Sequence, residues 1–175
     1  MQVVAFLGGV NVGGHRVTMD RLRAEMAALG YPGARTFIAS GNVILDVAGR
    51  RSPRTVEAEI SAHLAAALGF PVPTFVRRAR DLAAIATREP FGPVPAGSTL
   101  QVVFLHAPPD AAHAKAAEAL SSRLDRFSVQ GTELYWQVRG GVSDTGVKPT
   151  VLRNALDQTG TARNVTSLRK LVATL

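Results

Sequence analysis

Residues 8–16, GGVNVGGHR, bring four glycines together with Asn11, His15 and Arg16. They leave an apolar run and enter a segment with helical spacing. At such a strand-to-helix junction, free backbone N–H groups favour an anion. The glycines permit the positive φ that a phosphate cradle often requires. Template matching fails, however. Gly9 and Gly14 have the separation of a phosphate-binding P-loop, but His15 and Arg16 stand where Lys and Ser or Thr would hold phosphate and magnesium. The spacing does not fit the dinucleotide fingerprint either. Two readings therefore stand together: Asn11, His15 and Arg16 contact an anionic ligand, with Gly13 and Gly14 giving it close backbone approach, or Asn11 bonds its own backbone within a glycine-rich turn.

Residues 161–166, TARNVT, form a second candidate. Arg163 offers a bidentate fork for carboxylate or phosphate, and Asn164 and Thr166 can both donate and accept. The competing reading is a capping segment for the final helix, more natural for Thr166 than for Arg163. Other constellations are poor. His15, His63, His106 and His113 are scattered, and the Glu59–His63 pair lacks the companions of a metal site. His106, Asp110 and His113 read as surface residues around a strand end. There is no G-x-S-x-G elbow, and with no Cys there is no thiol nucleophile, disulfide or thiolate metal site. No cofactor or metal is indicated.

Composition bounds the partners. The chain has 175 residues, 46% hydrophobic and 19% charged, enough to bury a real core. Its 20 basic against 13 acidic residues give +7, which suits a polyanion, yet the basic residues are nearly all Arg and the helices are Ala-rich, so a compositional habit explains the excess as well. Local excess is more informative. From Arg139 onward six basic residues (Arg139, Lys148, Arg153, Arg163, Arg169, Lys170) face only Asp144 and Asp157, and a mid-chain run, Arg77-Arg78 with Arg80, adjoins Asp81. Apolar runs are far shorter than the roughly 20 residues of a membrane helix. With no signal peptide visible, the expectation is a soluble, cytoplasmic protein without a membrane partner.

The elements that must position these residues follow from periodicity. Residues 2–7 read as a buried strand, and Thr18 caps a helix with Met19, Leu22, Met26 and Leu29 on one face, stopped by Gly30. Residues 36–39 and 43–47 read as strands joined by a tight turn at Ser40-Gly41-Asn42. Ser52-Pro53 opens a helix lined by Val56, Ile60, Leu64 and Leu68, and residues 74–77 form a fourth strand. The grammar then recurs: a short helix 81–87, a strand 99–106, an Ala-rich helix 110–124, a hairpin 127–130 and 133–138, a helix 148–158 and a last helix from Ser167 capped by Thr166 or Ser167. The reading is α+β: two ferredoxin-like (split βαβ) subdomains, 1–78 and 79–175, each an antiparallel sheet with helices on one face. A cleft or shared surface between the halves is expected.

Leu7-Gly8-Gly9-Val10-Asn11-Val12-Gly13-Gly14, with Met19 and Leu22 after it, resembles the opening L-R-G-I-N-V-G-G motif of the domain of unknown function 1697 family. Thr36-Phe37-Ile38-Ala39-Ser40-Gly41-Asn42-Val43 resembles its T-Y-I-Q-S-G-N-V segment, Glu89-Pro90-Phe91 its N-P-F, and residues 161–167 its closing T-T-R-N-W-N-T. The resemblance implies a conserved bacterial protein of two ferredoxin-like subdomains and supplies no established activity. Gly8 stands where the family usually carries Arg, and Val165 and Thr166 where it has Trp and Asn, so a changed ligand or weakened activity is open.

Three functional classes follow. The leading one is a binding or regulatory protein for an anionic ligand (a nucleotide, nucleic acid, or phosphorylated or carboxylated metabolite), with Asn11, Gly13, Gly14, His15, Arg163 and Asn164 as ligand-binding residues. The alternative is an enzyme acting on a phosphoryl or acyl group with His15 as acid or base. The third is an assembly module pairing open sheet faces, although nothing in the residues indicates a homo-oligomer. Base stacking on the sheets is disfavoured, because Phe6 is the lone aromatic residue on the first sheet's central strands and the RNP1 pattern is missing.

Overall fold

The computed structural model describes residues 1–11, 13–38 and 41–175. The chain divides into two compact units, Met1–Ala83 with Leu175, and Ala84–Thr174. The first unit runs β1 (Gln2–Leu7), α1 (Met19–Ala28), β2 (Arg35–Phe37), β3 (Asn42–Asp46), α2 (Pro53–Leu68), β4 (Thr74–Arg78) and the start of α3 (Ala79–Thr87). Its sheet has the order β2-β3-β1-β4, antiparallel throughout, which is the split βαβ arrangement. One sheet face carries Val3, Ala5, Val43 and Leu45 against Leu22 and Met26 of α1 and Val56, Ile60 and Leu64 of α2.

Local chemistry sets the helix ends. Thr18 Oγ1 accepts from Arg21 N at 3.1 Å and Ser52 Oγ from Thr55 N at 3.1 Å, each satisfying a first-turn donor. Pro53 fits the first turn of α2, and Gly69, at φ 77°, ends it in the left-handed region. The edge strand β4 is covered in part by Glu57, whose Oε2 accepts from Val76 N at 2.9 Å. His63 bonds Glu25 at 2.8 Å, while Glu59 pairs with Arg51. Glu59 and His63 thus have separate partners.

The second unit continues with β5 (Ser98–Leu105), α4 (Ala111–Glu118), β6 (Asp125–Gln130), β7 (Glu133–Arg139), α5 (Pro149–Leu156), β8 (Gly160–Asn164) and α6 (Val165–Val172). The sheet order is β6-β7-β5-β8, antiparallel, repeating the first topology. Val103, Leu105, Phe127 and Leu134 pack with Ala117 of α4 and Leu156 of α5. On the opposite face Tyr135 is fully buried and donates to Ile85 O at 2.9 Å. Arg169 Nε of α6 donates to Ala86 O at 3.0 Å, tying the two added helices together.

Four local differences from the sequence reading have physical causes. The segment around Arg163 is a strand, β8, paired with the central β5; its polar composition hides the alternation expected of a strand. The last helix begins at Val165 and its cap is Asn164, whose Oδ1 accepts from Thr166 N at 2.8 Å, in place of Thr166 or Ser167. Helix α4 stops at Glu118 instead of Leu124, because Ser121 and Ser122 hydroxyls accept from Phe127 N and Asp125 N and turn the chain into β6. Helix α5 is likewise shorter, ended by Asp157 in the left-handed region at φ 50°. Ala39 and Ser40, part of the expected strand end and turn, lie outside the described residues.

Candidate functional site

The loop after β1 is built largely on its own bonds. Gly8 N donates to Pro73 O at 2.7 Å, and a Cβ on Gly8 would sit 3.3 Å from that carbonyl, tighter than ordinary contact. Asn11 adopts φ 59°, and its Oδ1 accepts from Val17 N at 2.8 Å, closing the loop across six residues. Gly13 and Gly14 take φ of 61° and 92°, conformations that other residues adopt reluctantly. His15 stacks on Phe70 with ring centroids 4.0 Å apart. The geometry gives Asn11 a definite structural bond. Val12 lies outside the described residues.

Arg163 and Asn164 belong to the second unit. Asn164 spends its side-chain oxygen as the α6 cap. Arg163 stands beside Val102 on the sheet face that carries Tyr135, and its Nη1 donates to Thr161 Oγ1 at 2.8 Å and to Ala162 O at 2.9 Å. Burial pushes this guanidinium down to about 10, because losing water penalises its charged form. A cation held at such a cost is a candidate ligand contact. Among the described residues no group of three or more His, Asp or Glu side chains is placed to hold a metal ion.

A concentration of positive charge lies in the first unit. The β3–α2 connection and the end of β4 meet beside the start of β1, around a cavity of about 710 Å³ lined by Gln2, Arg50, Arg51, Ser52, Arg78 and Arg80. Antiparallel pairing explains the meeting: Val3 faces Arg78 across the β1–β4 ladder, and Met1 N donates to Val47 O at 2.8 Å. The N-terminus of the sixteen-residue α2 opens at Ser52 and adds its own positive potential.

The four guanidinium groups are not equivalent. Arg51 is committed, donating to Tyr31 Oη at 2.9 Å and pairing with Glu59. Arg80 lies 3.6 Å from Asp81 but is largely exposed, so that pair is weak. Among the described residues, Arg50 has no ion pair. Arg78 is the most telling: its Nε is buried without a hydrogen-bond partner. An unsatisfied buried donor carries a desolvation penalty. The sequence drew attention to Arg77, Arg78 and Arg80 but not to Arg50 and Arg51. Their signal was the RRSPR run that leads into α2, whose approach to β4 only the sheet topology reveals.

A family model described as "Protein of unknown function (DUF1697)" matches residues 1–135. The chain belongs to this family. The match takes in the glycine-rich loop, residues 36–43 and Glu89-Pro90-Phe91 of this DUF1697 protein, and ends before the segment carrying Arg163. Among solved structures, the conserved bacterial protein SP0830 from Streptococcus pneumoniae is similar, with a TM-score of 0.72 at 19% identity, covering 99% of this chain and 97% of its own. That likeness extends the shared fold over both units. No curated protein matches.

Proposed function

We propose that this DUF1697 protein binds a small ligand bearing a phosphate or carboxylate group, and that the arginine-lined cavity of the first unit is its site. The observation that carries the reading is the convergence of Arg50, Arg78 and Arg80 beside the α2 N-terminus, with Arg78 Nε buried and unsatisfied. Guanidinium groups suit this task, since their planar donor fork matches both anions. The mostly committed Arg51 acts as the fixed wall, and Arg50 and Arg80 are exposed enough to close on a ligand. The desolvated Arg163 supports the same chemistry in the second unit, where Asn164 flanks it. For the glycine-rich loop, Gly13, Gly14 and His15 supply a secondary contact surface around Asn11.

Calorimetric titration with pyrophosphate and with citrate, at low and moderate salt, tests the assignment. Saturable binding that weakens with salt is expected, with about a tenfold loss in Arg78→Gln and a smaller loss in Arg50→Ala. Equal binding by wild type and both variants would sink it. A loss confined to Arg163→Ala would move the site to the second unit.

A further inference from the structure

A separate cavity of about 410 Å³ lies in the second unit, on the sheet face that carries α4 and α5. Its lining is mostly apolar: Val103, Phe127 and Trp136 from the sheet, Leu152 and Leu156 from α5, and Val147 from the loop that precedes α5. Phe127 and Trp136 are directly opposite across the β6–β7 ladder, with rings stacked at 5.9 Å and 15°.

The cavity is held open by polar bonds behind its walls. Asp125, fully buried, accepts from Trp136 Nε1 at 2.8 Å, Thr145 Oγ1 at 2.7 Å and Gly146 N at 2.9 Å. One carboxylate therefore fixes both the indole ring and the loop opposite it. Gly141 N donating to Asp144 Oδ2 at 2.7 Å holds the loop's beginning. A preformed apolar recess with a few polar groups at its mouth is the usual form of a small-molecule site.

The mouth carries a definite charge. Arg153, in the last turn of α5, is the charged residue among those lining the cavity. It is exposed and makes no ion pair among the described residues. Thr150 and Thr159 are exposed polar groups beside it. An apolar body with a cationic or neutral head would leave that guanidinium unused; an anionic head pairs with it.

We propose that this cavity binds a carboxylate-bearing amphiphile of medium chain length, its apolar chain lying against Trp136 and its carboxylate paired with Arg153. This site is built from different residues and chemistry from the arginine cavity, so either assignment can fail without the other.

Trp136 is the single tryptophan of the chain, so its fluorescence reads the cavity directly. The full chain is titrated with octanoate and with octanol at constant ionic strength. Octanoate should give a saturable emission change and shield Trp136 from acrylamide. Arg153→Ala should weaken octanoate by about fivefold while leaving octanol within about twofold. Ala162→Leu, which puts bulk into the cavity from an exposed position on β8, should abolish both responses. Circular dichroism confirms that each variant is folded. A wild-type titration without saturation overturns the proposal whatever the variants do. Equal loss of octanoate and octanol in Arg153→Ala overturns the carboxylate assignment, and so does no loss of either. An emission change that depends on protein concentration and not on octanoate would show the cavity covered by a second copy, and would overturn it too.

Discussion

Gly160→Ala drives a methyl group into the central strand of the second sheet. An ideal Cβ there would lie 2.5 Å from Val103 Cγ1, 3.0 Å from Leu105 Cδ2 and 3.0 Å from Phe104 O. Carbon atoms pack comfortably at about 3.5–4.0 Å, so the overlap with Val103 is about 1 Å. Val103 lines the 410 Å³ cavity, so part of that overlap has somewhere to go. The Phe104 carbonyl does not: it belongs to β5, paired on both sides. β8 must therefore withdraw from β5, at about 2–3 kcal/mol for an overpacked contact. For a chain of this length each kcal/mol moves Tm by about 2–4 °C, which predicts a fall of about 4–12 °C. Urea denaturation and thermal melts followed by circular dichroism measure it. Gly33→Ala is the control, since a Cβ there meets nothing within 4 Å, and it should stay within about 0.5 kcal/mol of wild type. A Gly160→Ala protein as stable as that control would refute the close approach of β8 to β5.

Three further outcomes are expected. Asp125→Asn replaces an acceptor of three hydrogen bonds with an amide that must point donors at donors, so it should cost about 2–3 kcal/mol and shift Trp136 emission; an unchanged spectrum and Tm would count against Asp125 as the loop's anchor. For Arg163, whose charged form is penalised by burial in the folded state, stability rises as pH climbs above about 10, where the folded group sheds its proton before the unfolded one does, and its charge is a cost below that window. Arg163→Met should therefore be at least as stable as wild type at pH 7, and wild type should gain on it above pH 10; a variant destabilised at pH 7 would contradict this. Burial, with Glu133 adding and Arg88 opposing, pushes the Tyr135 phenol up to about 12, so its contribution to stability is lost as pH rises from 10 to 12. An absorbance titration should show a late phenolate phase that Tyr135→Phe removes, along with about 1 kcal/mol from the lost bond to Ile85 O; a wild type without the late phase would refute it.

Much of the framework was legible from residue order. Thr18 and Ser52 stand before apolar faces at helical spacing and do cap α1 and α2, because capping depends on groups within one turn of each other. Leu22, Met26, Ile60 and Leu64 are all fully buried, as their period required. Asn11 was equally readable as a residue that bonds its own loop, since Val17 is only six positions away. Strand β8 was hidden, because a polar edge segment becomes a strand only when β5 supplies its hydrogen bonds.

The same division applies to the sites. Residue types alone determined that this chain would be rich in guanidinium groups and without a thiol, and residue order that it would be built of two α+β halves. Tertiary structure decided which of its arginines lie together. Arg50 and Arg78 are far apart in sequence and meet because β1 pairs with β4 beside the start of α2. Trp136, Val147 and Leu152 surround one cavity because a buried carboxylate on β6 holds the loop between β7 and α5 in place. Local propensity acts over a few residues, whereas a binding surface is assembled by sheet register and burial, which couple residues without regard to their separation along the chain.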